Sequence, residues 1–258
     1  MIRINYKAII YSFALVMMYS CSEDFLEVDS KENIAVEDRD ENFEPVDFVN
    51  GVYGMFTDWD YAFSYLGITE IISDNADKGS KPSDNGADKH FLDNLTFTST
   101  VPSVRSMWTS WYKTIGRANY AIAFAELEGG SNSERLIAEA KFLRAYTYFF
   151  LVRSFGDVPI QGEIEFVDGE PVVDPSVDLS TRNPKADVYE YIKADLNDAI
   201  AVLPAKSEYA DKDLGRATRG AAQAMLAKVN LYQENWQEAL DNANAVINSG
   251  EYGLEQAN

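Results

Sequence analysis

Residues 133 to 155 constrain the fold of this chain more than any other stretch. They read Ser-Glu-Arg-Leu-Ile-Ala-Glu-Ala-Lys-Phe-Leu-Arg-Ala-Tyr-Thr-Tyr-Phe-Phe-Leu-Val-Arg-Ser-Phe, and Gly156-Asp157-Val158-Pro159 follow. Leu136, Ala140, Leu143 and Phe150 recur at helical steps along one face. Ala138, Phe142, Ala145, Phe149 and Val152 do so along a second face. A surface helix carries one apolar stripe, so two stripes predict a helix clad by neighbours on both sides. Ser131 and Glu134 have the spacing of a capping box at its start, and Gly156 and Pro159 stop it. Such a helix needs other helices before and after it.

The rest of the chain supplies them. Glu44-Pro45 opens a helix with Phe48, Val52, Met55 and Trp59 on one face. Met107 onward carries Trp108, Trp111, Ile115, Ala118, Ile122 and Ala125 at helical period, up to Gly129-Gly130. Asn183-Pro184 reads as an N-cap followed by proline in the first turn, and Tyr189, Ile192, Leu196, Ala199 and Leu203 lead to a stop at Pro204. Thr218 caps a helix lined by Ala222, Met225, Val229 and Tyr232; Asn235 breaks it, and Trp236 to Ser249 forms another. Ala227 and Ala239 have the small-residue spacing of a tetratricopeptide unit, although the usual tryptophan, glycine and tyrosine of its first helix are absent. The expectation is an all-α fold of tetratricopeptide-like antiparallel helix pairs with long irregular loops. Two such loops are Asp60 to Ser106, with a short strand expected over Leu95 to Thr100, and residues 157 to 182.

At 258 residues and 46% apolar composition the chain can bury a substantial core. A net charge of −20 argues against nucleic acid and anionic lipid headgroups, which need a basic surface. The first residues point to export. Arg3 and Lys7 precede an apolar run, Ala8 to Tyr19, that is too short to span a bilayer. The only cysteine, Cys21, comes directly afterwards, behind Ser20, so no disulfide can form within the chain. The arrangement resembles a bacterial lipobox, with Met18 where leucine is usual. That resemblance makes residues 1–20 a lipoprotein signal peptide and Cys21 the acylated mature N-terminus. Ser22-Glu23-Asp24 is similar to the acidic triplets that send Bacteroidetes lipoproteins to the outer face of the outer membrane.

Four stretches together resemble the SusD/RagB family of nutrient-binding outer-membrane lipoproteins. They are Ser20 to Val28, Trp111 to Asn119, Ala138 to Pro159, and Arg216 to Tyr252. The third, Ala-Glu-Ala-Lys-Phe-Leu-Arg-Ala-Tyr-Thr-Tyr-Phe ending in Phe-Gly-Asp-Val-Pro, is the most specific. The resemblance runs from Cys21 to the end, over roughly the first half of a family member, so 21–258 is expected to be the N-terminal part of a SusD-like helical-repeat domain. It implies a lipid-anchored, cell-surface protein that binds oligosaccharide or polysaccharide and delivers it to a SusC-like TonB-dependent transporter. A peptide-binding RagB-like protein is the alternative, and a glycoside hydrolase stands outside both.

The residues themselves favour binding over catalysis. One cysteine and one histidine cannot make the usual zinc sites. Asp74-x-x-Asp77-x-Gly79 offers calcium some oxygens and a turn glycine, but not the full loop spacing or the closing glutamate. No nucleophile elbow surrounds any serine, and the many acids fall mostly on polar helix faces. No metal or cofactor is expected. Glycans and peptides are held by aromatic platforms beside amide, carboxylate and cationic groups. The Asp60 to Ser106 region and its borders supply that set: Trp59, Tyr61, Tyr65, Asp74, Asn75, Asp77, Lys78, His90 and Trp108. Arg144 and Arg153 are read as structural, bonding between repeats.

Overall fold

The computed structural model describes residues 43–84, 86–173 and 176–254. The leader and Cys21 therefore lie outside the described residues. From Phe43 onward the chain is a stack of helices: α1 (Pro45–Met55), α2 (Trp59–Leu66), α3 (Asp88–Asp93), α4 (Pro102–Glu128), α5 (Ser133–Phe155), α6 (Lys185–Val202), α7 (Arg219–Tyr232) and α8 (Trp236–Asn248). A hairpin of β1 (Ile164–Val167) and β2 (Glu170–Val173) interrupts the series.

Helix α5 is the clad helix that its two stripes predict. Leu136, Ala140 and Leu143 pack with Val49 and Val52 of α1 and with Ala118, Ala121 and Ile122 of α4. Phe149 and Val152 join Ile192 and Leu196 of α6 and Met225 and Val229 of α7 in the largest cluster, which Trp111 and Ile115 of α4 complete. Phe150 falls in that cluster as well, because Tyr65 of α2 and Trp111 of α4 meet its face.

Buried charge sets the register of these layers. Arg144, 1% exposed, donates through Nε and Nη2 to both oxygens of Asp195 on α6, at 2.8 and 2.7 Å, and through Nη1 to Asn119 Oδ1 on α4 at 2.8 Å. Its guanidinium also lies 4.9 Å from the centre of the Tyr191 ring. Burial works against the Arg144 charge, but the Asp195 carboxylate outweighs it and the guanidinium stays protonated. A second node surrounds Glu139, fully buried on α5, which accepts from Arg135, from Arg216 at 2.9 Å and from the Tyr53 hydroxyl at 3.0 Å. Tyr53 in turn accepts from Ala217 N at 2.8 Å, so α1, α5 and the approach to α7 are joined. Arg153 instead lies over Phe149, Phe150 and Tyr232 and donates to the Tyr232 hydroxyl.

The Gly-Asp-Val-Pro motif has a local explanation. Gly156 ends α5 at φ +71°, a backbone state that glycine adopts without strain. Asp157 Oδ1 accepts from Lys185 N at 2.8 Å, capping α6 from across the loop. Val158 bridges to Asn183, and Pro159 O accepts from the Tyr112 hydroxyl at 2.7 Å. Thr218 caps α7 through Ala221 N as expected.

Several boundaries differ from the sequence reading. Trp59 does not continue α1; it opens α2, because Asp58 caps a new helix. Helix α4 starts five residues before Met107, with Pro102 in its first turn. Leu95 to Thr100 is not a strand: Leu95 has φ +55°, and Val101 N turns back to Thr98 O. Residues 157 to 182 contain the β1–β2 hairpin, closed by Asp168-Gly169 with both residues at positive φ, which suits a tight two-residue turn. Asn183 is not the cap of α6; its side chain accepts from Ile160 N instead. The Ser131–Glu134 box is absent, and α5 starts behind Asn132 without a side-chain cap. On α8 only Ala239 is buried, while Trp236, Leu240 and Ile247 are exposed.

Replacing Arg144 with Met keeps much of the packing but strands Asp195 and Asn119. The expected loss is about 3–5 kcal/mol in urea denaturation, because an unpaired buried charge remains. A loss below about 1 kcal/mol would show that the pair is not a structural node.

Candidate functional site

The region between Asp60 and Ser106 is more ordered than its composition implies. After α2 comes a short π-helical stretch, Gly67–Ile71, then a polar turn, then α3. Three short pieces give too few turns for a 3.6-residue period to emerge in the sequence. Helix α3 is fixed to α4 by one cluster: Ser103, at the start of α4, donates through its amide to Asp88 Oδ2 at 3.2 Å and through its hydroxyl to the same oxygen. Lys89 Nζ bonds both Asp88, at 2.9 Å, and Ser103. Burial would raise the Asp88 carboxyl, but the bonds from Ser103 and Lys89 outweigh it and hold it below the ordinary range. The Lys89 stem covers Gly67, and its ammonium sits 4.9 Å from the centre of the Phe63 ring.

On this frame the expected site residues separate into groups. Trp59 is 69% exposed and stacks on Phe63 at 4.3 Å between ring centres, with 15° between planes. Tyr61 faces the other way, is 6% exposed, and packs on Phe56 and Trp111. As a surface contact it is a correction: residues two apart on a helix point to nearly opposite faces, and Tyr61 fell on the inner one. Tyr65 is half-buried against Trp111 and Phe150. Asp74, Asn75 and Asp77 come together with Asp93 in a polar hollow of about 280 Å³. Lys78 is turned to Ser80 and the Lys81 carbonyl. His90 pairs with Asn94, at 2.9 Å from Nδ1 to the amide nitrogen. Trp108 is half-buried against Tyr112 and Phe155, with the Arg182 guanidinium over its ring. Among the described residues no three of His, Cys, Asp or Glu are placed to hold a metal ion.

A larger cleft, about 640 Å³, lies between the α1–α2 turn and α4. Asp58 and Asp60 line one side and Arg105, Thr109, Lys113 and Arg117 the other. The sequence reading missed it, although the four α4 residues recur at steps of four. The apolar period of α4 drew the inward face; the polar face had no element to set against it until α2 was placed.

With this geometry, the comparisons with known proteins decide the family. The family described as starch-binding, associating with the outer membrane (SusD-like), matches residues 24–231. This chain belongs to the SusD-like family. Its SusD-like relatives include SusD-like protein P2 of Formosa agariphila, 34% identical over 207 residues, 78% of this chain and 38% of the relative. Among solved structures, a laminarin-binding SusD-like protein superposes with a TM-score of 0.63 at 31% identity, covering 78% of this chain and 42% of its own. Surface glycan-binding protein A of Bacteroides fluxus gives 0.65 at 25% identity, covering 82% and 45%. The chain thus spans less than half the length of these SusD-like proteins.

The opposite placements of Trp59 and Tyr61 are testable by stability. Tyr61→Ala should cost on the order of 3 kcal/mol, as for other buried aromatics. Trp59→Ala should stay within about 0.5 kcal/mol, as an exposed surface change. Equal effects in thermal or urea unfolding would contradict the two orientations.

Proposed function

We propose that this chain is the helical portion of a surface lipoprotein that holds an oligosaccharide without cleaving it and passes it to a TonB-dependent outer-membrane transporter. The observation that carries the reading is the exposed Trp59–Phe63 stack. Its helix is capped by Asp58, and Lys89, beneath Phe63, belongs to the cluster that fixes α3 to α4. A flat aromatic face on a rigid helix can lie against the apolar face of a sugar ring with little ordering cost. The family description and the glycan-binding names of the relatives support the same class.

Anchoring follows from the leader, with Cys21 acylated after removal of residues 1–20 and the protein facing outward from the outer membrane. Expressed in a Bacteroides host, the protein should partition into detergent, and Cys21→Ala should release it or leave it unprocessed. Equal partitioning of the two forms would remove the anchor from the proposal.

Binding is tested by calorimetric titration of the full chain against a panel of polysaccharides and peptides, with reducing ends assayed in parallel. Trp59→Ala should weaken glycan binding about tenfold, the equivalent of one lost aromatic contact. Release of reducing ends that co-purifies with the protein would make it an enzyme. Binding to peptides alone would favour the RagB-like alternative.

A further inference from the structure

The cleft between the α1–α2 turn and α4 carries a charge arrangement at odds with the rest of the molecule. Acids outnumber bases 42 to 22 in the sequence, and a typical arginine of the fold has found a carboxylate: Arg135 and Arg216 share Glu139, and Arg144 holds Asp195. Arg153 and Arg182 lack one but lie over aromatic rings. Arg105 and Arg117 have neither. Among the described residues the Arg105 side chain has no hydrogen bond or ion pair, and the Arg117 guanidinium donates only to the Met55 thioether at 2.9 Å, a weak acceptor. The two acids across the cleft do not take them up. Asp58 Oδ1 is turned to the amides of Asp60 and Tyr61, at 2.9 and 3.3 Å, where it caps α2. Asp60 makes no ion pair with either arginine. On the floor, Ser110 is 5% exposed and its hydroxyl has no partner.

The spacing describes the ligand. Arg105, Lys113 and Arg117 share a row of four-residue steps with Thr109, so at about 1.5 Å per residue the row extends roughly 18 Å along α4. A single small anion would use one end of such a row. A chain with charges repeated along it would use all of it. Guanidinium groups meet carboxylate and sulfate in flat, two-bond geometry, and exposed ones lose little hydration in doing so. The opposing acids would repel an anion lying over them, which confines a charged chain to the α4 side.

We propose that this cleft receives the carboxylate or sulfate groups of an acidic glycan on Arg105, Lys113 and Arg117. The inference rests on the glycan-binding reading above and narrows it from glycans in general to anionic ones.

The test uses two matched pairs with the full chain: polygalacturonate against its methyl ester, and dextran sulfate against dextran. Within a pair the sugar backbone is the same, and the carboxylate is masked as its ester or the sulfate is replaced by a hydroxyl. At least one charged member should bind at least about tenfold more tightly than its neutral partner, with the advantage shrinking as ionic strength rises from roughly 0.05 to 0.5 M. Which pair responds tells carboxylate from sulfate. Arg105→Gln and Arg117→Gln should each remove much of that advantage and leave any neutral-glycan affinity alone; both side chains are exposed, and circular dichroism checks that the fold is kept. Polyglutamate serves as the non-sugar polyanion. Equal binding within both pairs would overturn the inference while leaving glycan binding intact. So would a charge advantage that survives both substitutions. Polyglutamate bound as tightly as the acidic glycans would overturn it in favour of an acidic peptide, and no binding to any glycan would overturn both this inference and the reading beneath it.

Discussion

The Arg144 guanidinium lies between three helices with both oxygens of Asp195 and the amide oxygen of Asn119 engaged, and almost none of it is open to water. Replacing such a pair outright with apolar residues often costs nothing, because desolvation consumes most of the Coulombic gain. Its structural consequence is one of register. An apolar stripe tolerates sliding by a fraction of a turn, whereas a bidentate pair and a planar amide do not. Asn119 also donates to the Gly162 carbonyl, so the same node fixes the chain leaving α5 toward the hairpin. Helices α4, α5 and α6 are held in one relation by side chains rather than by turns.

The Glu139 node extends that relation to α1. Tyr53 and Asn50 of α1 meet Glu139 and Arg216 there, although Asn50 and Arg216 are far apart in sequence. Burial, with the nearby Glu139 charge, pushes the Tyr53 phenol well above its ordinary value, so it remains a neutral donor. Once α1 is set, Met55 and the Asp58 turn face the polar side of α4, and the cleft exists. The Tyr53–Glu139 contact and the packing of Val49 and Val52 on Ala118 and Ala121 of α4 together hold α1 in that place. Near Trp59, Asp88, Lys89 and Ser103 join α3 to the start of α4 with short polar contacts instead of a large apolar core. Such ties preserve a defined surface while leaving aromatic area exposed.

The acidic surface and the cationic cleft act at different ranges. With a net charge of −20, the molecule as a whole repels polyanions over a distance of about the Debye length, roughly 8 Å in physiological salt. Arg105 and Arg117 line the cleft itself, so a ligand held there would lie within that range of them. Selection among charged polymers would therefore come from the row on α4 and not from the average charge, which solubility already explains.

The sequence alone determined the order of the long helices, the doubly clad α5, the stop at Gly156 and the cap at Thr218. Each depends on periodicity or on a single residue's backbone preference, both of which act locally. The family resemblance was legible for the same reason, since its densest motif is a helix and its terminator. Several local signals were present but outweighed: Pro102 marked the start of α4, Asp58 the start of α2, and Asp168-Gly169 the hairpin turn. Short elements leave too little periodic pattern to be seen against a polar background. Tertiary structure decided the rest. Trp59 and Tyr61 are two residues apart with similar chemistry, yet one is on the surface and the other in the core, because only the position of Phe56 and Trp111 tells which face is inside. Trp108 packs edge-on against Phe155 at the far end of α5, a contact its own helix does not predict. The cleft joins residues from 54 to 117, and no local rule brings them together. That meeting is set by how α1 and α2 seat on α4 and α5, through Val49 and Val52, the Tyr53–Glu139 contact and Tyr61 on Trp111, contacts that no local pattern names.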